Sequence, residues 1–289
     1  MITALIKTMR VRQWTKNGFI FFGLIFDKQL FMLEPFLRTV MGFFLFCLVS
    51  SAVYLFNDIA DVEADRNHPE KKYRPIASGK LPINVALAAG LILTAIAIPV
   101  GYLLSPAFAL ILTVYLAVNV LYSRWLKHVS ILDVLIISSG FVLRVAAGVA
   151  LITVERFSPW LYMITILFSL YIGLGKRRAE MNLLAQGASS HRKVFEGYTI
   201  PLLDQFITIV SGMTIVAYSL YTFSAPNLPE NHAMMLTIPF VVYGIFRYLQ
   251  LIHIGNAAGS PDEVALKDRP LQFTVLLWGL TVIAIFYLS

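Results

Sequence analysis

Between two long apolar runs lies a dense polar stretch, Asn57 to Gly79, reading NDIADVEADRNHPEKKYRPIASG. Wound as a helix at about 100° per residue, Asn57, Asp58, Asp61 and Asp65 fall within one stripe about 100° wide, while Glu63 and Arg66 point elsewhere. Three carboxylates and an amide on one face repel one another unless a cation sits among them. Hard oxygen ligands with spare coordination suit Mg²⁺ shared with a phosphorylated substrate. The competing reading is a solvated acidic face, the commoner fate of charge clusters, yet such a face seldom keeps basic residues so cleanly out of one stripe. Beyond it, Pro69 and Pro75 interrupt the helix, Ser78-Gly79 supplies a turn, and Lys71, Lys72, Arg74 and Lys80 make a basic loop. That order suits a diphosphate, with the metal on some oxygens and cationic side chains on those it leaves free. The same cations also read as the positive excess of any cytoplasmic loop.

The elements that position this stretch are membrane spans. The chain has 289 residues, 58% of them hydrophobic and 13% charged, with mean hydropathy +0.75, which is outside the soluble globular range. About nine apolar segments are each long enough to cross a hydrocarbon core about 30 Å thick. They fall at 15–32, 37–56, 82–104, 106–124, 130–151, 159–177, 199–222, 235–255 and 270–288, with no linker between domains and no internal repeat, so 1–289 reads as a single integral-membrane domain. Lys and Arg concentrate at the N-terminus and in the even loops, whereas the opposite side holds Lys28, Arg38 and Arg156. The N-terminus and the polar stretch therefore face the cytoplasm. Trp14, Trp125 and Trp160 suit interfacial anchors. Cys47, the one cysteine, excludes an intrachain disulfide and offers no thiolate metal site. The net charge of +7 sits in short loops beside lipid headgroups and does not call for nucleic acid. A cleavable signal is not apparent in the basic start, Lys7 to Lys16.

Other candidates lie at the same membrane side. The run YSRWLKHVSILD carries Tyr122, Ser123, Arg124, Lys127 and Asp133, and Arg144 lies about 16 Å further along that span on the face of Asp133, Gly140 and Gly148. An arginine so deep must face protein or a wet cavity; a cavity-facing Arg144 would hold a phosphate or order the acidic stripe. Its glycines permit either close helix packing or room for a ligand. Span 6 ends in KRRAE, offering Lys176, Arg177 and Arg178, with Glu180 spaced to pair with Lys176, and the chain continues through Arg192 and Tyr198. Those cations also suit a simple stop at the membrane face. Arg247, two turns from the end of span 8, can snorkel, and Asp262, Glu263 and Asp268 lie in the loop after it. His68, His128, His191, His232 and His253 show no zinc-type spacing.

The run NDIADVEADR, continued by KKYRPIASG, closely resembles the first aspartate-rich motif of the UbiA superfamily of intramembrane prenyltransferases. The form HPEKKYRPIASG and the cationic KRRAE, standing where prenyl-diphosphate users carry a second acidic cluster, resemble the superfamily branch that moves phosphoribose. The resemblance implies an all-α polytopic fold of about nine transmembrane helices around a central cavity, in the plasma membrane. It further implies Mg²⁺ on Asn57, Asp58, Asp61 and Asp65, the three aspartates being catalytic through the metal. The implied donor is 5-phosphoribosyl 1-diphosphate and the acceptor a long polyprenyl phosphate, with decaprenyl phosphate the first choice and the chain length left open. Candidate substrate contacts are Asn57, Lys71, Arg74, Tyr122, Lys127, Arg144, Lys176, Arg177, Glu180, Arg192, Tyr198 and Arg247. Two alternatives stay open, a prenyltransferase using prenyl diphosphate and an aromatic or lipid acceptor, and a non-catalytic polyprenyl-phosphate carrier.

Overall fold

Regular structure in the computed structural model, which describes residues 1–153, 158–185, 193–225, 228–254 and 267–288, is helical throughout. Internal contacts divide the chain into two compact units, Met1–Lys127 with Leu143–Val154, and His128–Val142 with Glu155–Ser289. The helices of the first are α1 (Ile2–Met9), α2 (Phe21–Phe26), α3 (Leu33–Ala60), α4 (Val62–Arg66), α5 (Ile83–Leu104) and α6 (Pro106–Arg124). Helix α7 (Leu132–Val149) gives its first part to the second unit and its remainder to the first. The second unit adds α8 (Pro159–Ala185), α9 (Ile200–Ser224), α10 (Ile238–Ile254) and α11 (Arg269–Leu288). Among the described residues, 8 helices are long and apolar enough to cross a membrane, and the chain is a multi-pass membrane protein.

The expected first span, 15–32, is the exception. Val11–Ile20 is a 3-10 helix of 10 residues, followed by the 6-residue α2. The segment runs antiparallel to α3: Tyr54 Oη donates to Gln13 Oε1 (2.6 Å), Trp14 Nε1 to Ser51 Oγ (3.0 Å) and Asn17 Nδ2 to Ser50 Oγ (3.2 Å), and Phe21 meets Phe43. Because a 3-10 helix rises about 2 Å per residue, these ten residues cover about 20 Å and α2 about 9 Å more, close to one hydrocarbon thickness. A window tuned to α-helical crossings counts the segment as one span. Its polar side chains, spent on α3, are what make the tighter winding tolerable. Further along the chain, α8 runs beyond the expected end at 177, carrying the KRRAE stretch on a continuous helix to Ala185.

Two apolar clusters in the first unit hold the polar stretch in place. Ile20, Phe46, Val49, Phe108, Leu112, Ala147 and Leu151 form its larger core. Below the polar stretch, Leu55, Ile76, Leu81 and Ala86 pack with Ala4, Leu5 and Met9 of α1, so the basic loop is pinned by its own apolar residues. Gly148 settles one expectation: a Cβ there would lie 1.8 Å from the Ile20 carbonyl oxygen, so this glycine serves close packing of the 3-10 segment on α7. Gly148→Ala is therefore expected to destabilise the protein by at least the roughly 1–3 kcal/mol typical of overpacking, read as a lower melting temperature in detergent. An unchanged melting temperature would contradict the contact.

Candidate functional site

Helical register carries through the acidic stretch although α3 ends at Ala60. Asp61 N donates to Asn57 O (2.9 Å) and Asp65 N to Asp61 O (2.8 Å), which keeps Asn57, Asp58, Asp61 and Asp65 on one face. Each of the four has a side-chain partner. Arg74 Nη1 donates to both Asp65 Oδ2 (2.7 Å) and Asp58 Oδ1 (3.2 Å). Arg10 Nη2 reaches Asp58 Oδ1 (2.7 Å), Lys127 Nζ reaches Asp61 Oδ1 (2.6 Å), and Ser123 Oγ donates to Asn57 Oδ1 (2.6 Å). The Asp58 and Asp65 side chains are 4% and 5% exposed. Charges so enclosed must be paired, and Arg10 and Arg74 pair them, while Lys127 meets Asp61, whose side chain is 33% exposed.

Local chemistry delivers each cation. Arg10 closes α1 in the left-handed conformation (φ 51, ψ 48), and its guanidinium lies 4.6 Å from the Tyr54 ring centroid. Arg74 leaves the 3-10 turn Lys71–Tyr73 in an extended conformation just before buried Pro75 and Ile76. That turn is organised by His68, whose Nδ1 accepts from Glu70 N (3.2 Å) and Lys71 N (3.3 Å); partial burial and nearby Lys71 hold its pKa below the ordinary histidine value. Lys71 is half-buried on the turn and Tyr122 half-buried beside Ser123. Arg10 and Ser123 join the site without having been expected in it. Arg10 reads in sequence as one more orientation signal, and Ser123 lies in a run already singled out.

The donor chemistry of the stripe fits a hard divalent ion: three carboxylates and an amide oxygen in register, with one cationic nitrogen, Arg74 Nη1, already seated between two of the carboxylates. As the side chains stand, no three Asp, Glu, His or Cys among the described residues converge to hold a metal. The carboxylates are turned onto the cations.

Arg144 departs from the expected cavity-facing role. It is 6% exposed, donates to Asn17 Oδ1 (2.8 Å) and Tyr115 Oη (3.0 Å), and lies against the rings of Phe46 and Tyr115. These partners are in the core of the first unit and none belongs to the acidic stripe.

The second unit holds a separate cluster. Arg177, 2% exposed, pairs with Asp133 (2.5 Å) and with Glu180. Glu180 therefore takes Arg177 at i,i+3, a partner other than the expected Lys176. Tyr198 Oη donates to Asp133 Oδ1 (2.7 Å) and accepts from Ile131 N (2.6 Å), a β-branched residue at φ 70. Burial, and the Asp133 carboxylate to which the phenol donates, hold the Tyr198 pKa above its ordinary value. Arg178 binds Asp204 (2.5 Å) and the Ile252 carbonyl (2.8 Å). Arg177 is enclosed between its two carboxylates at 2% exposure, whereas Arg74, also between two carboxylates, keeps 29% of its side chain exposed. Lys176 is half-buried on the same helix. Arg247 pairs with Asp268 (2.8 Å), which also caps α11 through Leu271 N (2.9 Å); the guanidinium holds the Asp268 carboxyl below the usual carboxylate range. Arg192, Asp262 and Glu263 lie outside the described residues.

A model of the UbiA prenyltransferase family matches residues 18–262. The chain is 34% identical over 291 residues to the decaprenyl-phosphate phosphoribosyltransferase of Mycobacterium tuberculosis, covering 98% of this chain and 94% of that protein. To the protein of the same name from Mycolicibacterium smegmatis it is 35% identical over 308 residues, covering 100% and 94%. A solved UbiA homolog from Archaeoglobus fulgidus bound to GPP and Mg²⁺ aligns with TM-score 0.70 at 15% identity, covering 96% of this chain and 99% of that one. At that identity the likeness carries the fold alone.

The second cluster generates a stability prediction. Asp133→Ala leaves a buried guanidinium short of one carboxylate and is expected to destabilise the protein by about 3–5 kcal/mol. Tyr198→Phe, which strands Ile131 N, should remove about 1–3 kcal/mol. Thermal unfolding in detergent checks both. Arg177→Gln should fall with them, whereas Lys176→Gln should shift the melting temperature far less.

Proposed function

The chain belongs to the UbiA prenyltransferase family, and from that premise we propose that it transfers 5-phosphoribose from 5-phosphoribosyl 1-diphosphate to a polyprenyl phosphate, releasing diphosphate. The chain is a transferase of the membrane-embedded kind. The donor and acceptor rest on relatives of nearly the same length named decaprenyl-phosphate phosphoribosyltransferase, and decaprenyl phosphate is the acceptor we favour. The observation that carries the reading is the acidic stripe interleaved with Arg10, Arg74 and Lys127, a matched set of carboxylates and cations at one membrane end. We infer that this end, with the N-terminus, faces the cytoplasm across the plasma membrane, and that the product is a lipid-linked pentose for cell-envelope polysaccharide.

The residues divide the work by charge. Asn57, Asp58, Asp61 and Asp65 are the oxygen donors that would hold Mg²⁺, as the Mg²⁺ named with the Archaeoglobus homolog suggests by analogy. When bound, the metal neutralises charge on the departing diphosphate. Arg74 and Lys127, with Lys71 on the adjoining turn, donate to the diphosphate oxygens that remain, in charge-assisted hydrogen bonds that strengthen as the leaving group departs. Lys176 is proposed for a phosphate of the donor or acceptor. A polyprenyl phosphate oxygen is anionic near neutral pH, so it attacks the anomeric carbon without a general base, and direct displacement inverts that carbon.

Purified protein given Mg²⁺, 5-phosphoribosyl 1-diphosphate and decaprenyl phosphate is expected to yield a polyprenyl-phosphoryl phosphoribose, identified by mass. Asp61→Ala should abolish turnover in folded protein, and EDTA should do so reversibly. Lys176→Gln is expected to lower kcat/KM for the donor about 10- to 150-fold, the value of one charged hydrogen bond. Transfer from prenyl diphosphate but not from phosphoribosyl diphosphate would overturn the reading in favour of a prenyltransferase; binding without turnover would favour a carrier. A cysteine introduced at Ser78 should label from the cytoplasmic side.

A further inference from the structure

We propose that Arg10 makes metal binding at the acidic stripe conditional on diphosphate, so that a divalent cation and a diphosphate bind as a pair and neither binds well alone. This rests on the stripe being a metal–diphosphate site. The charges of the stripe already cancel: Asp58, Asp61 and Asp65 face Arg10, Arg74 and Lys127. Asp58 is the point of tightest enclosure, with a side chain 4% exposed and two guanidiniums on the same oxygen, Arg10 at 2.7 Å and Arg74 at 3.2 Å.

A bare dication must displace these cations from the carboxylates and then sit beside them. The Arg10 guanidinium stays close to the stripe even when it releases Asp58. It lies against the Tyr54 ring, 4.6 Å from the ring centroid, and the left-handed backbone at Arg10 sets the point from which the side chain starts. Tyr54 is itself tied to the chain three residues beyond Arg10, through Gln13 Oε1 at 2.6 Å. Adding two positive charges beside cations that remain in the cluster is repulsive at short range. A diphosphate removes the conflict, since its oxygens accept from the displaced Arg10, Arg74 and Lys127 while the freed carboxylates take the metal. Coupling of this kind is reciprocal, so each ligand raises the affinity of the other by the same factor.

Arg10 is the separable member of the set. Arg74 bridges Asp58 and Asp65, so its loss would also loosen the basic loop, whereas Arg10 engages Asp58 alone of the stripe's carboxylates. Removing Arg10 relieves the repulsion toward a metal and removes one donor to diphosphate. A residue that only stabilised the fold would not do the first of these.

The test is titration calorimetry of the full chain in lipid nanodiscs, with Mg²⁺ alone, inorganic pyrophosphate alone, and pyrophosphate at fixed free Mg²⁺. For the wild type, Mg²⁺ affinity should rise about tenfold or more when pyrophosphate is saturating. Arg10→Gln should bind Mg²⁺ alone about tenfold more tightly than wild type, with the coupling reduced by a similar factor, and Arg10→Lys should keep the coupling. Independent binding of Mg²⁺ and pyrophosphate to the wild type would overturn the proposal and leave the stripe as a metal–diphosphate site. So would an Arg10→Gln variant whose affinity for Mg²⁺ alone is unchanged or weaker. No binding of the two in any combination would overturn the underlying reading as well. Should Arg10→Gln not fold, Arg10→Met, which keeps the length of the side chain without its charge, is titrated in its place against the same outcomes.

Discussion

Placing carboxylates at the end of a membrane-spanning helix is the constraint on which the rest of this structure turns. Asp58 lies in the last turn of α3, and it and Asp65 are almost wholly enclosed. An enclosed carboxylate loses several kcal/mol of hydration, as an order of magnitude, unless a cation and hydrogen bonds replace the water. Two chain segments supply them, and a third brings a cation to the more exposed Asp61. The N-terminal segment folds back along α3 and brings Arg10, the loop pinned through Ile76 and Leu81 brings Arg74, and the turn after α6 brings Lys127. The cations therefore belong to the architecture as much as to any chemistry the stripe performs.

The basic residues of the chain then fall into two kinds. Arg177 and Arg178 are spent on Asp133, Glu180, Asp204 and the Ile252 carbonyl, and they fasten α8 to its neighbours in the second unit. Arg144 is likewise committed, to Asn17, Tyr115 and two aromatic faces. Arg10, Arg74 and Lys127 instead face carboxylates that a metal would claim, with side chains 27%, 29% and 25% exposed. Partners of that kind are exchangeable, because an anionic ligand offers each cation an equivalent oxygen. The contrast explains why the count of basic residues near a membrane face is a poor guide to which of them meet a substrate.

The 3-10 segment illustrates a related limit. Hydropathy reads 15–32 as one more crossing, whereas the structure winds 11–20 as a 3-10 helix whose Gln13, Trp14 and Asn17 side chains are hydrogen-bonded to α3. Composition measures how much apolar chain is present; the pairing of polar side chains decides how that chain is coiled. Gly148 makes the same point, since its spacing permitted either a ligand pocket or close packing, and the Ile20 carbonyl excludes the pocket.

The sequence by itself determined the helical membrane architecture, most span boundaries and the one-faced stripe of Asn57, Asp58, Asp61 and Asp65. Transfer free energy and helical period are local properties, readable over a few turns of chain. Which cation meets which carboxylate was decided only by tertiary structure. Arg10 precedes Asp58 by 48 positions, Lys127 follows Asp61 by 66, and Asp133 precedes Arg177 by 44. Spacing rules reach i,i+4, where they favoured Lys176 for Glu180; burial of Arg177 against Asp133 drew Glu180 to Arg177, because an enclosed guanidinium between two carboxylates is stabilised more than a half-exposed ammonium beside one.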